Sequence, residues 1–158
     1  MTRMDNDTAI LTIAEMMLWK GQWFDGFDLT QMPEGWKFLG SGISRWAFLA
    51  PDGWVYKFGS RYANRNEVDA AQQLFPQQDS TLRIPWVEPV GDYGDFSVIR
   101  CEFMDGEWQD ADDVNSRAVR DMWRDLSRFL SRFSIGDVHY GNVCFVDGGT
   151  PAVIDLGW

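Results

Sequence analysis

The amino-acid sequence predicts an α+β fold on three observations. The first half is strand-rich around one short helix, the second half holds one long amphipathic helix, and the end of the chain alternates like a β-hairpin. With 158 residues, of which 45% are hydrophobic and 24% charged, the chain can bury a core and is short for two ordinary domains. One domain over 1–158 is therefore expected, with a helical extension (1–35), a sheet (36–104), and a part holding the long helix and hairpin (105–158). Nothing repeats and no low-complexity linker interrupts it.

Residues Thr8 to Lys20 place Ile10, Ile13, Ala14, Met17 and Leu18 on one side at helical spacing, with Asp5 or Asp7 as N-cap and Gly21 as a stop. From Trp36 to Phe58, short apolar and aromatic runs are punctuated by Gly40-Ser41-Gly42 and Pro51-Asp52-Gly53, which reads as three antiparallel strands joined by turns. Asn66 to Leu74 has Val68, Ala71 and Leu74 at helical spacing and stops before Pro76. Ile84 to Val90 and Phe96 to Met104 read as two further strands, which makes five. Asp112 or Asp113 can cap a helix with a stripe of Val114, Ala118, Met122, Leu126 and Leu130, while Arg117, Arg120, Arg124 and Arg128 fall on another, solvated face. Val143 to Val146, the turn Asp147 to Thr150, and Ala152 to Ile154 form the hairpin.

Fourteen Lys and Arg against twenty-four Asp and Glu leave a net charge of −10. This opposes a phosphate-binding nucleic-acid surface and an anionic membrane partner. Cys101, Cys144 and the single histidine, His139, make neither a disulfide framework nor a Cys/His zinc cluster. The N-terminus is unlike a signal peptide, and no run reaches the roughly 20 apolar residues of a membrane span. A soluble, cytoplasmic protein is expected. Most of the nine tryptophans are expected in the core.

The chemistry concentrates near the C-terminus, in Gly136-Asp137-Val138-His139-Tyr140-Gly141-Asn142, then the hairpin, then Ile154-Asp155-Leu156-Gly157. A hairpin that starts after Asn142 and ends at Asp155 returns two oxygen-bearing side chains to each other. That pair suits magnesium, which takes one or two carboxylates and lets substrate phosphates complete its shell. Asp137 stands nearby as a base that need not bind metal. In loop length, and in the spacing from Asn142 to Asp155, this constellation resembles the catalytic loop and metal-binding element of the protein kinase-like superfamily, in the style of its small-molecule and atypical members.

The resemblance extends upstream in the same order. Leu39-Gly40-Ser41-Gly42-Ile43-Ser44-Arg45 is similar to the glycine-rich loop that covers ATP phosphates, with Arg45 in the place of the third glycine. Lys57, in Val55-Tyr56-Lys57, matches the phosphate-anchoring lysine, and Glu67 the glutamate that pairs with it. Val98 to Gly106 resembles the last small-lobe strand and hinge, so backbone groups of Glu102 and Met104 are expected on the adenine edge and Cys101 at the gatekeeper position. His139 stands where the family has a lysine facing the transferred phosphoryl group. It could donate a hydrogen bond there, assist the metal indirectly, or pack the loop.

The resemblance thus implies a kinase-like fold: a five-stranded antiparallel small lobe with one short helix, then a minimal large lobe of long helix, catalytic loop and hairpin, with an extra N-terminal helix. It implies ATP and magnesium as cofactors. Asp137 and His139 would be catalytic, Gly40, Gly42, Lys57, Glu67, Glu102 and Met104 would bind nucleotide, and Asn142 and Asp155 would bind metal. The activity implied is transfer of the γ-phosphate to a hydroxyl, expected on a protein. The alternatives are an ATP-binding pseudokinase that acts by holding a partner, and AMP transfer. No activation segment follows Asp155-Leu156-Gly157, so the acceptor platform is expected from the N-terminal helix, a second copy of the chain or a partner protein. Trp158 is expected to pack against the edge thereby left open.

Overall fold

The computed structural model describes residues 5–19, 32–41, 45–79, 82–94, 96–106, 117–132, 143–147 and 149–154. In chain order the elements are α1 (Asn6–Trp19), β1 (Lys37–Ser41), β2 (Arg45–Leu49), β3 (Trp54–Ser60), α2 (Arg61–Leu74), β4 (Val87–Tyr93), β5 (Phe96–Glu102), α3 (Arg117–Ser131), β6 (Val143–Val146) and β7 (Thr150–Val153). They divide into two compact units, one of Met1–Asn64 with Glu88–Phe103, the other of Arg65–Val87 with Met104–Trp158.

The first unit is built on a five-stranded sheet in the order β1-β2-β3-β5-β4, with antiparallel β1–β2, β2–β3 and β3–β5 pairs. Residues in a strand alternate between faces, so the register sorts the sheet into two sides. Phe38, Trp46, Phe48, Tyr56, Phe58 and Val98 share one face. There they form a single core with Ala9, Ile10, Ile13, Ala14 and Met17 of α1 and with Trp36. Phe48 and Phe58 meet edge to face at 5.5 Å, and Trp36 and Tyr56 lie 5.1 Å apart. Fully burying side chains of this size contributes roughly 1.5–3 kcal/mol each, which is what seats the helix.

Asp5 caps α1, its carboxylate accepting from the Thr8 backbone N–H and from the Thr8 hydroxyl, both at 2.9 Å. The turn between β2 and β3 holds the start of the same helix. Gly53 takes φ +87° there, and Asp52 accepts from the Trp54 N–H at 2.8 Å, the Tyr56 hydroxyl at 2.7 Å and the Asn6 amide at 2.7 Å.

Several boundaries differ from the sequence expectation. Gly40 and Ser41, expected in a turn, lie inside β1, and 42–44 lie outside the described residues. α2 starts at Arg61 rather than Asn66, because β3 passes into it without a loop and the Ser60 hydroxyl accepts from the Ala63 N–H at 3.3 Å, a capping contact. β4 starts at Val87 rather than Ile84. The stretch before Pro85 pairs elsewhere, in the second unit: the Arg83 N–H donates to the Pro151 carbonyl at 2.8 Å and its carbonyl accepts from Val153 at 3.3 Å. β5 ends at Glu102, before Met104. The caps expected at Asp112 or Asp113, and the stop at Gly21, lie outside the described residues.

In the second unit, α3 buries Leu126 and Leu130 and exposes Arg120, Arg124 and Arg128, as its stripe predicts. The β6–β7 hairpin pairs Val143 with Val153 and Val146 with Thr150. Asp147 and Gly149 supply the positive φ values of its turn, 51° and 138°. Cys144, Val146 and Ala152 form a small core with Met104 and Ile154 packed against it. Gly106 lies so close to the hairpin that a Cβ there would stand 2.5 Å from the Phe145 carbonyl oxygen. Among the described residues no helix is long and apolar enough to cross a membrane.

Candidate functional site

The sheet face opposite α1 differs in character from the one that α1 covers. Three cross-strand rows run over it. Lys37, Leu49, Val55 and Cys101 form one row, apolar except for the exposed Lys37 at its β1 end; Gly40, Ala47, Lys57 and Ile99 form the next; Arg45, Gly59 and Ser97 form the third. Each row thus carries one cation, Lys37 at the β1 edge, Lys57 on β3 and Arg45 on β2, and the face is kept small at Gly40, Ala47 and Gly59. At Gly40 a Cβ would meet nothing within 4 Å, so packing within the protein does not require glycine there.

Lys57 is only 8% exposed although it is charged. A cation so far from water demands anionic or strongly polar company, and Lys57 does not lack a partner. Arg45 is equally buried at 8%. Its Nη1 donates to Oδ1 of Asn64 at 3.5 Å, and Nδ2 of Asn64 donates to the Ser97 carbonyl at 3.0 Å and the Ser97 hydroxyl at 2.9 Å. Asn64, itself 1% exposed, thus links the two residues that flank Gly59 in its row. Neither Asn64 nor Ser97 is marked by a sequence motif; only strand register and the early start of α2 bring them to Arg45.

The other expected site residues divide as follows. Glu67 lies in the second unit at 0% exposure, on the α2 face that also buries Ala71 and Leu74, and it too has a partner. Glu102 ends β5 opposite Trp54, half-buried, and so belongs to the α1 side of the sheet. The Met104 carbonyl accepts from the Cys144 thiol at 3.6 Å, and burial pushes that thiol's pKa up. Cys101 is buried in the row of Leu49 and Val55, and both cysteines are free thiols.

Gly42, Asp137, His139, Asn142, Asp155 and Trp158 lie outside the described residues. The hairpin pairs Val143 with Val153 at its open end; in sequence Asn142 precedes Val143, and Ile154 and Asp155 come after Val153. Among the described residues no group of three His, Cys, Asp or Glu side chains could hold a metal ion. α1 packs on the face away from Lys57.

No protein-family model and no curated protein sequence matches this chain.

Proposed function

We propose that the chain is a kinase-like phosphotransferase, dependent on ATP and magnesium, that moves the γ-phosphate to a hydroxyl on a protein. The observation that carries the reading is the buried cation Lys57 on the sheet face opposite α1, in one row with Gly40 and Ala47. Apolar side chains at Leu49, Val55 and Cys101 for a base, a buried cation for phosphates and small residues that admit a ligand close to the backbone suit a nucleoside triphosphate. The element order supports it as well: five strands with a helix between the third and fourth, then a long helix and a hairpin.

In this reading Gly40 and Gly42 cover the phosphates, and Lys57, with Glu67 as its assigned acid, holds them. Asn142 and Asp155 are the oxygen donors for magnesium, a hard cation that supplies charge neutralisation when bound. Asp137 accepts the proton of the acceptor hydroxyl as its oxygen forms the new bond to phosphorus and the bond to the departing ADP breaks. A second copy or a partner protein completes the acceptor side. Catalysis by such a site rests on positioning and charge stabilisation.

The test is a paired-label assay with α- and γ-labelled ATP on the wild type and on Lys57→Met, Asp137→Ala and Asp155→Ala. Transfer of the γ label alone, lost in all three variants, is expected. Transfer of the α label would identify AMP transfer, and magnesium-dependent binding with no transfer to any protein would identify a pseudokinase. Absence of ATP binding by the wild type would sink the nucleotide reading altogether.

A further inference from the structure

We infer that a chain of side chains running from α1 to β4 makes the docking of that helix hold the start of the edge strand, so that lifting α1 releases β4 from Glu88 to Gly91. The strand itself shows why it needs a hold. β4 is the last strand of its sheet, and from Glu88 to Tyr93 none of its residues is buried. Pro89 has no N–H for the ladder, and Gly91 has no side chain to pack. The turn end is secured separately: the Tyr93 ring stacks on that of Phe96 at 6.1 Å, and the Gly94 carbonyl accepts from Nη2 of Arg61. At the other end the tie is Glu88, whose Oε1 meets both Nε and Nη2 of Arg100.

From Glu88 back to the helix the contacts are continuous. Asn6, in the first turn of α1, donates its amide to Oδ2 of Asp52 at 2.7 Å, and the Tyr56 hydroxyl donates to the same oxygen at 2.7 Å. Tyr56 and Arg100 stand directly opposite each other across β3 and β5, and the guanidinium hydrogen-bonds the phenol. That hydroxyl has one proton and gives it to Asp52, so toward Arg100 it is the acceptor. Arg100 reaches on to Glu88, with its guanidinium carbon 4.7 Å from the centre of the Trp54 ring. Donor and acceptor thus alternate from α1 to β4, and each bond polarises the next. Asn6 orients Asp52, Asp52 orients the phenol, and the phenol and Trp54 together fix the guanidinium that Glu88 grips. The buried Ala9, Ile10, Ile13, Ala14 and Met17 that seat α1 thereby steady a strand that buries nothing of its own over this stretch.

Amide hydrogen exchange, resolved to single residues on the full chain, tests the coupling. Asn6→Ala should speed exchange of the protected amides among Glu88, Val90 and Gly91 by at least about threefold more than those of β3. Asn6→Asp, which sets a second carboxylate against Asp52, should speed them further. Coupling is reciprocal, so Glu88→Gln should speed the Ala9 and Ile10 amides of α1 by a comparable factor. Tyr56→Phe keeps the core ring and cuts the chain in its middle, so in that background Asn6→Ala should no longer reach β4. Three results would overturn the inference. One is β4 exchange that Asn6→Ala leaves unchanged. Another is equal acceleration in β3, the mark of a general loss of stability. The third is an effect of Asn6→Ala on Glu88 to Gly91 that survives in Tyr56→Phe, which would assign the coupling to Tyr93, the β4 residue that packs against the core seating α1.

Discussion

Ala47 stands directly opposite Lys57 across β2 and β3, and the methyl group of Ala47 is the largest side-chain feature between that lysine and Gly40 along their row. The sheet is closed on its other side by α1 and a belt of aromatic residues.

Filling that row should block nucleotide without harming the core. Ala47 is half-buried, and Ala47→Phe places a ring over the Lys57 face. The expected outcome is ATP affinity reduced by at least about tenfold, the equivalent of roughly 1.4 kcal/mol, with thermal stability close to wild type. Calorimetric titration and a melting curve on the same sample check both halves. Wild-type affinity in Ala47→Phe would place the ligand elsewhere.

The phenol of Tyr56 is pushed up from 10.0 to about 12, first by burial and then by its hydrogen bond to Asp52. A raised acid pKa means that the neutral phenol is the form favoured by folding. The associated stability is complete below pH 10 and is lost as the pH rises toward 12. In an alkaline absorbance titration, Tyr56→Phe should remove a late phenolate transition, and Asp52→Asn should bring it to lower pH without abolishing the shift, because burial remains. A transition already complete at pH 10 would contradict the buried, hydrogen-bonded phenol.

Gly106→Ala forces a Cβ to 2.5 Å from the Phe145 carbonyl oxygen and 2.9 Å from Cγ1 of Val146. The hairpin backbone must shift, at a cost of about 1–3 kcal/mol. Chemical denaturation followed by the fluorescence of Trp123, whose ring meets that of Phe145 at 6.5 Å, measures the loss. Unchanged stability would mean that the segment yields freely.

Phe48→Ala removes a fully buried ring that meets Phe58 edge to face and Phe38 at a tilt. Large-to-small substitutions of this kind cost about 3–5 kcal/mol, and here the hole opens between α1 and the sheet. Hydrogen exchange is expected to show the α1 amides losing protection first; uniform loss across the second unit as well would show that the two units unfold as one.

Which parts of this architecture can be read without coordinates follows from the range of the forces involved. The hairpin, the buried stripe of α3 and the three strands from Trp36 to Phe58 depend on alternation and turn residues close in sequence, and they form where expected. Misplaced boundaries occur where a distant partner decides. Ile84 reads as the beginning of the fourth strand, but the neighbouring Arg83 bonds to Pro151 and Val153 and the strand starts only at Val87. Ser60 serves as both strand end and helix cap, so no loop advertises the start of α2. The site shows the same division. Lys57 is legible as a lysine in an apolar strand, whereas Asn64 and Ser97 become neighbours of Arg45 only through register and a helix that begins early.

The Asp52 carboxylate oxygen that keeps Tyr56 protonated also receives the Asn6 amide at the first turn of α1. Seating of that helix and titration of that phenol therefore share an atom. Lifting α1, whether by a binding partner or by a core mutation, would open Tyr56 to water and return its ultraviolet titration toward that of a free tyrosine. The protein carries its own optical gauge of helix docking, readable without a label.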